Sequence, residues 1–126
     1  ISNANASIMA NPILLEILIT NLVENAIRYS DQRDCIQVSL DHTSNFNNNN
    51  SHIQVSVIDH GPGLSDSEKT KVWSRFYRAD ASNQQGSGLS LAIVKEICLL
   101  HLANYKLLDT PNGGLTIVIN LPINNA

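Results

Sequence analysis

The 126-residue chain is short of the features that mark several large protein classes. Its two cysteines, Cys35 and Cys98, form no CxxC pair and have no histidine at ligand spacing, which leaves no framework for disulfide staples or a structural zinc. They read instead as reduced core thiols, one in a strand-like and one in a helix-like run, as expected of a cytoplasmic domain. A formal net charge of -3, with 8 Lys and Arg scattered among 11 Asp and Glu, gives no basic stripe, so no nucleic-acid partner is expected. No window approaches the ~18 apolar residues of a membrane span, there is no secretory segment, and no internal repeat is visible. The length suits one domain, residues 1–126, with a two-layer core. Because the chain opens at Ile1 without Met or leader, it is expected to be a piece of a longer protein.

The most informative stretch is a helix. Asn11 is a good N-cap, Pro12 suits the first helical position, and Leu14, Leu18, Leu22 and Ala26 recur as a buried stripe up to about Tyr29. On the adjacent row Ile13 and Ile17 give way to Asn21 and Asn25 at the same four-residue step, so that row is expected to leave the core and enter a site. Asn costs roughly half a kcal/mol against Ala in a helix, and two of them one turn apart gain no evident stability. With Arg28 one turn further on, their carbonyl oxygens suit a hard cation and its phosphates. A merely polar exposed side of the helix is the other reading of the Asn pair.

Residues 4–9 read as a short strand. Beyond the helix the period becomes two: Ile36, Val38 and Leu40 alternate with polar residues, as do Ile53, Val55 and Val57, giving two half-buried strands. The tract from Thr43 to Ser51 between them, with Asn at 45 and 47–50, reads as a long mobile loop. Asp59-His60-Gly61-Pro62-Gly63 places a carboxylate at a strand end before a turn that needs glycine freedom. Ser65 and Glu68 have capping-box spacing, predicting a short helix to about Trp73. Ala81 to Gln85 is small and polar. Gly86-Ser87-Gly88 then opens a helix expected to bury Leu89, Ile93, Ile97 and Leu100, and a Gly-rich helix start is a ready anion site. A hairpin, Tyr105–Asp109 and Leu115–Leu121, turns at Thr110-Pro111-Asn112-Gly113-Gly114.

Taken singly these signals are weak. Gly86-Ser87-Gly88 lacks the third glycine of a dinucleotide fingerprint and the Lys-Ser/Thr of a P-loop, and Asp59 alone could be a turn cap. In order and spacing, however, Asn21-Leu22-Val23-Glu24-Asn25-Ala26, Asp59-His60-Gly61-Pro62-Gly63, Arg75-Phe76-Tyr77-Arg78 and Gly86-Ser87-Gly88-Leu89 resemble the N, G1, F and G2 boxes of sensor histidine kinases over nearly the whole chain. The resemblance implies an α+β, two-layer sandwich of the Bergerat type: a mixed, mostly antiparallel sheet with three helices on one face and an ATP lid at about residues 64–87. It implies that Asn25, assisted by Asn21, holds Mg2+, that Arg28 reaches the phosphates, and that Asp59 accepts the adenine amino group with Tyr29 flanking the base. Gly61 and Gly63 would let the chain pass close to the ring. Gly86, Ser87, Gly88 and the Leu89 amide would receive the triphosphate, and the lid would carry Arg75, Phe76 and Arg78. Because Ala81 to Gln85 has no apolar anchor, residues from about Ala79 to Gly86 are expected to become ordered only with nucleotide and partner domain together.

The chain departs from the family at His60 and Ser90, which stand for Asn and Gly beside the expected pocket. It also departs at Trp73-Ser74 and Leu102-Ala103, which read as packing variants. His42, His52, His60 and His101 are followed by Thr, Ile, Gly and Leu, so none has the acidic neighbour of the family's phosphoacceptor. By the resemblance the chain is half of an enzyme. Its partners would be a dimerising phosphoacceptor histidine domain of the same protein and then a response regulator, with no nucleic acid and no membrane contact of its own, in a cytoplasmic domain of an inner-membrane sensor. The competing readings are an ATPase of the gyrase or chaperone type, a nucleotide-sensing module without turnover, and a serine kinase of the anti-sigma class. Those ATPases carry a Glu where Asn21 stands, and an amide cannot serve as the base that activates water. Purified chain is therefore expected to hydrolyse ATP at a rate close to background in a phosphate-release assay; substantial turnover abolished by Asn25→Ala would favour the ATPase reading.

Overall fold

A computed structural model describes residues 10–29, 35–45, 50–74 and 90–122. In chain order its elements are α1 (Pro12–Tyr29), β1 (Gln37–Asn45), β2 (Asn50–Ile58), α2 (Asp66–Lys71), α3 (Ser90–Leu100), β3 (Asn104–Asp109) and β4 (Leu115–Pro122). The strands form one sheet in the order β1-β2-β4-β3, every pairing antiparallel among the described residues. Residues 4–9, expected as a strand, lie outside the described residues.

Alternation along the strands decides which residues meet. Val57 faces Ile117 and Ile117 faces Leu107, while Val55 faces Ile119 and Ile119 faces Tyr105, so apolar rows run across the sheet. Against them pack Leu18, Leu22 and Ala26 of α1 and Leu91, Val94, Ile97 and Cys98 of α3. Fully burying a side chain such as Leu18 or Leu22, both 0% exposed, is worth about 1.5–3 kcal/mol each. On β1 the same rows run out: Val38 and Leu40 are 54% and 43% exposed, and only Ile36, just before the strand, packs on the core. The two-residue period marked the face correctly, but an edge strand lies beyond the helices.

α1 begins as its sequence requires. Asn11 Oδ1 accepts the N–H groups of Ile13 and Leu14 at 2.9 and 3.2 Å, satisfying two otherwise orphaned donors. His101, just after α3, donates Nδ1–H to Ile97 O at 2.9 Å and accepts the Asn11 N–H on Nε2 at 3.2 Å, tying the start of α1 to the end of α3. α2 is closed by the expected capping box: Ser65 Oγ accepts from Glu68 N–H, and Glu68 accepts from Ser65 N–H. That backbone donor holds the Glu68 carboxyl below its usual range. The helix is shorter than expected and buries no residue of its own; Val72 and Trp73 behind it dock instead, Trp73 tilted against Tyr105 with ring centroids 4.7 Å apart. Lys69 Nζ adds a 2.7 Å ion pair with Asp109 at the end of β3.

Several sequence expectations are corrected. β1 and β2 pair as far as Asn45 and Asn50, so the polar connection is residues 46–49 and not the whole of Thr43 to Ser51. Asparagine and serine there pair as readily as apolar residues because the hairpin continues at an edge. α3 buries Leu91, Ala92, Val94, Ile97 and Cys98, while Ile93 and Leu100 are exposed, since a helix on a sheet turns one strip inward and apolar residues filled more than that strip. Cys98 is buried, which pushes its thiol up to about 11, but Cys35 is exposed and is no core thiol.

Leu102 is more than a packing variant. It adopts φ +55 and is 85% exposed, while Ala103 N–H bonds Cys98 O at 2.9 Å across it, the αL ending of a helix that glycine serves without a Cβ penalty. Leu102→Gly is expected to stabilise the chain by about 0.5–1 kcal/mol, because strain is relieved and little buried area is lost. Urea denaturation checks this, and a lower midpoint would show that Leu102 packs in solution.

Candidate active site

The Asp-x-Gly-x-Gly turn after β2 meets the β3–β4 turn, and α1 carries a second expected segment; both place residues that are unusual for a core. Along α1 the mixed row behaves opposite to expectation. Ile13 and Ile17 are 68% and 39% exposed, and it is Asn25 that is buried, at 3%. The row does not leave the core; it enters it, because a four-residue step of 400° advances about 40° per turn around the helix. Asn21 donates Nδ2–H to Ile17 O at 2.8 Å, and among the described residues no donor meets its carbonyl oxygen. Asn25 has no hydrogen-bond partner among the described residues. An amide buried without a partner costs about 1–3 kcal/mol and is retained where something else supplies the bond. Arg28 is half-buried in the last turn of the helix, and Glu24 is exposed.

Asp59, 3% exposed, lies immediately after β2. Its Oδ1 accepts the Gly61 N–H at 3.1 Å and the Leu115 N–H at 3.0 Å, while its own N–H bonds Leu115 O at 2.9 Å. One carboxylate oxygen is thus fixed by two backbone donors, and among the described residues no donor meets Oδ2. A buried acceptor held in one orientation with a free lone pair suits a ligand that presents an N–H donor edge. His60 beside it is exposed. The Asp-x-Gly-x-Gly turn needs its second glycine: Gly63 has φ +72, and a Cβ there would come within 3.1 Å of Gly114 O.

Gly114 and Leu115 are the part of the site that the sequence reading missed. The Asn112-Gly113-Gly114 run was visible as a hairpin turn, but nothing local announces that it closes against a turn far away in the chain. Of the other expected residues, the Tyr29 side chain and Arg75, Phe76, Arg78, Gly86, Ser87, Gly88 and Leu89 lie outside the described residues. The expected lid at 64–87 is described only to Ser74, and that part is anchored through Leu64, Val72 and Trp73. Among the described residues no three His, Cys, Asp or Glu gather as a metal site.

A sheet covered by α1 and α3 thus carries a buried amide on the first helix and a backbone-held aspartate after a central strand. The chain belongs to the family described as histidine kinase-, DNA gyrase B-, and HSP90-like ATPase, whose profile matches residues 10–125. Within that family it is similar to Sensor protein QseC of Salmonella typhimurium, 37% identical over 109 residues, covering 86% of this chain and 22% of that protein. It is also similar to the Sensor histidine kinase CpxA of Escherichia coli, 35% identical over 116 residues, covering 90% of this chain and 24% of that one. The chain thus spans under a quarter of the length of these relatives. In structure it resembles the mycobacterial sensor histidine kinase MprB, with a TM-score of 0.79 and 28% identity over 93% of this chain and 75% of that one. This is the histidine-kinase type of ATP-binding domain, as the sequence motifs led one to expect.

The unpartnered amide has a measurable consequence. Asn25→Leu, similar in size and apolar, is expected to leave stability unchanged or raise it by about 1 kcal/mol. Thermal unfolding without ligand checks this; a marked drop in melting temperature would reveal a structural partner for Asn25.

Proposed function

We propose that the chain binds ATP with Mg2+ and donates the γ-phosphate to a histidine on a separate helical domain of the same protein, from which an aspartate of a response regulator takes it. The observation that carries the nucleotide reading is Asp59, whose Oδ1 is locked by the Gly61 and Leu115 N–H groups and whose Oδ2 is left for the adenine amino group. The buried, unpartnered Asn25 fits the Mg2+ reading. Its carbonyl oxygen, with that of Asn21, offers the neutral oxygen ligands a hard cation accepts, and Arg28 on the same side of α1 would meet the phosphates. Bound Mg2+ would neutralise charge on the phosphate oxygens.

The chain's own residues position ATP. Asn21, where the ATPases carry their glutamate, is an amide engaged with Ile17 and cannot serve as the base that activates water. An imidazole nitrogen from the partner domain is a better nucleophile than that water: its N–P bond forms as the bond from the γ-phosphorus to the bridging oxygen breaks and ADP leaves. Arg75 and Arg78 would neutralise the transferring group, Tyr29 and Phe76 would flank the nucleotide, Gly61 and Gly63 would admit the base, and the amides of Gly86, Ser87, Gly88 and Leu89 would receive the phosphates. Among the described residues no helix is long and apolar enough to cross a membrane, and names such as Sensor protein QseC support placing this domain, residues 1–126, on the cytoplasmic side of an inner-membrane sensor that dimerises through its other domain. The ATPase alternative is disfavoured by Asn21.

Asp59→Asn keeps the size of the side chain but sets amide donors against a donor edge. It is expected to cost about 1–3 kcal/mol of ADP affinity by calorimetry and to reduce transfer of a labelled γ-phosphate to the phosphoacceptor domain. Unchanged ADP affinity would remove Asp59 from the adenine site.

A further inference from the structure

The orientation of Asp59 depends on residues far along the chain. Leu115, whose N–H reaches Asp59 Oδ1, is 56 residues away in sequence. It can make that bond because Gly114 approaches so closely that a Cβ on it would lie 2.1 Å from Asp59 O and 2.7 Å from His60 Cα. Gly114 O in turn stands 3.1 Å from the place of a Gly63 Cβ, and a Cβ on Gly113 would lie 3.9 Å from Gly61 O. The β3–β4 turn is therefore seated against both ends of the Asp-x-Gly-x-Gly turn.

The seat is specific, and the turn by itself is not. Asn112, Gly113 and Gly114 run consecutively at φ +69, +110 and +118, a conformation that flexible glycines adopt only as one among many. Thr110 selects it. Its O accepts the Gly113 N–H at 3.0 Å, its N–H donates to Gly114 O at 3.1 Å, and its hydroxyl meets the Thr116 hydroxyl at 2.9 Å across the mouth of the hairpin. Thr110 is 6% exposed, so water is a poor substitute for that last bond.

Resting on the reading of Asp59 as the adenine acceptor, we propose that Thr110 and Gly114 are positioning residues for base selectivity. Without touching the nucleotide they hold the Leu115 N–H on Oδ1 and so aim Oδ2 at the exocyclic amino group. Loosening the turn lets the carboxylate rotate. The loss then falls on the contribution that distinguishes a 6-amino from a 6-oxo purine and spares the contribution from the phosphates.

The test compares calorimetric affinities of the 126-residue chain for ADP and inosine diphosphate, whose base carries oxygen in place of the amino group. Wild type is expected to prefer ADP. Thr110→Val is expected to reduce that preference by about tenfold with the inosine diphosphate affinity unchanged, because a site built around one hydrogen bond loses discrimination when the bond is misaimed. Thr110→Ser, which keeps the hydroxyl, restores the preference, a rescue that a purely steric role would not show. Gly114→Ala, which must displace Asp59 or the turn, lowers it further; where that variant does not fold, the Thr110 pair decides. A Thr110→Val chain that folds and keeps the wild-type preference would overturn the inference while leaving Asp59 as the acceptor. Wild type with no preference between the two nucleotides would overturn the acceptor reading itself, and this inference with it.

Discussion

The contact on which the site depends is a steric one between two backbones: Gly114 lies against Asp59 and His60 with no room for a single methyl group. Much follows from that closeness. It lets the Leu115 N–H reach a carboxylate that its own turn supplies with only one donor, from Gly61, and it carries the β2–β4 pairing one residue past Ile58 through Asp59. It also brings two glycine turns from distant parts of the chain together at one end of the sheet, where a nucleotide base could be read by polar groups that cannot drift. Rigid acceptors of this kind discriminate because the wrong base leaves them unpaired.

On the helical side the same logic appears as a deliberate defect. α1 fills its inner face with Leu18, Leu22 and Ala26 and then places Asn25 where an apolar residue would pack, at 3% exposure. Among the described residues that amide has no partner, and the compensation lies in the packing on either side, where α1 meets α3 and His101 clips the two helices at their ends. A marginally stable domain of this size tolerates few such residues, so their position is informative.

The segment after the Asp-x-Gly-x-Gly turn is held at several points. Capping of α2, docking of Val72 and Trp73, and the Lys69–Asp109 pair fix the chain as far as Ser74, and two of these contacts land on β3, next to the turn that seats Asp59. The root of the expected lid and the seat of Asp59 are built on one hairpin.

Much was legible without coordinates because it depends on neighbours in sequence. The N-cap at Asn11, the stripe from Leu14 to Ala26, the alternation in β2 and β4, the Ser65–Glu68 box and the glycine turns are short-range patterns that commit the backbone locally, and the motif order identified the family. What the sequence could not determine was which side of each element the rest of the chain would cover. Ile13, Ile93, Leu100, Val38 and Leu40 are as apolar as their buried neighbours, yet the first three lie outside because a helix on a sheet turns only one strip inward, and the last two because the edge strand lies beyond the helices. Cys35 is exposed for a related reason, since it precedes an edge strand. Leu102 looked like a packing residue and is a strained helix ending, and Gly114 looked like a loop residue and is the seat of the site. In both, the deciding quantity is a distance or torsion between parts that meet only after folding, and no spacing along the chain encodes it.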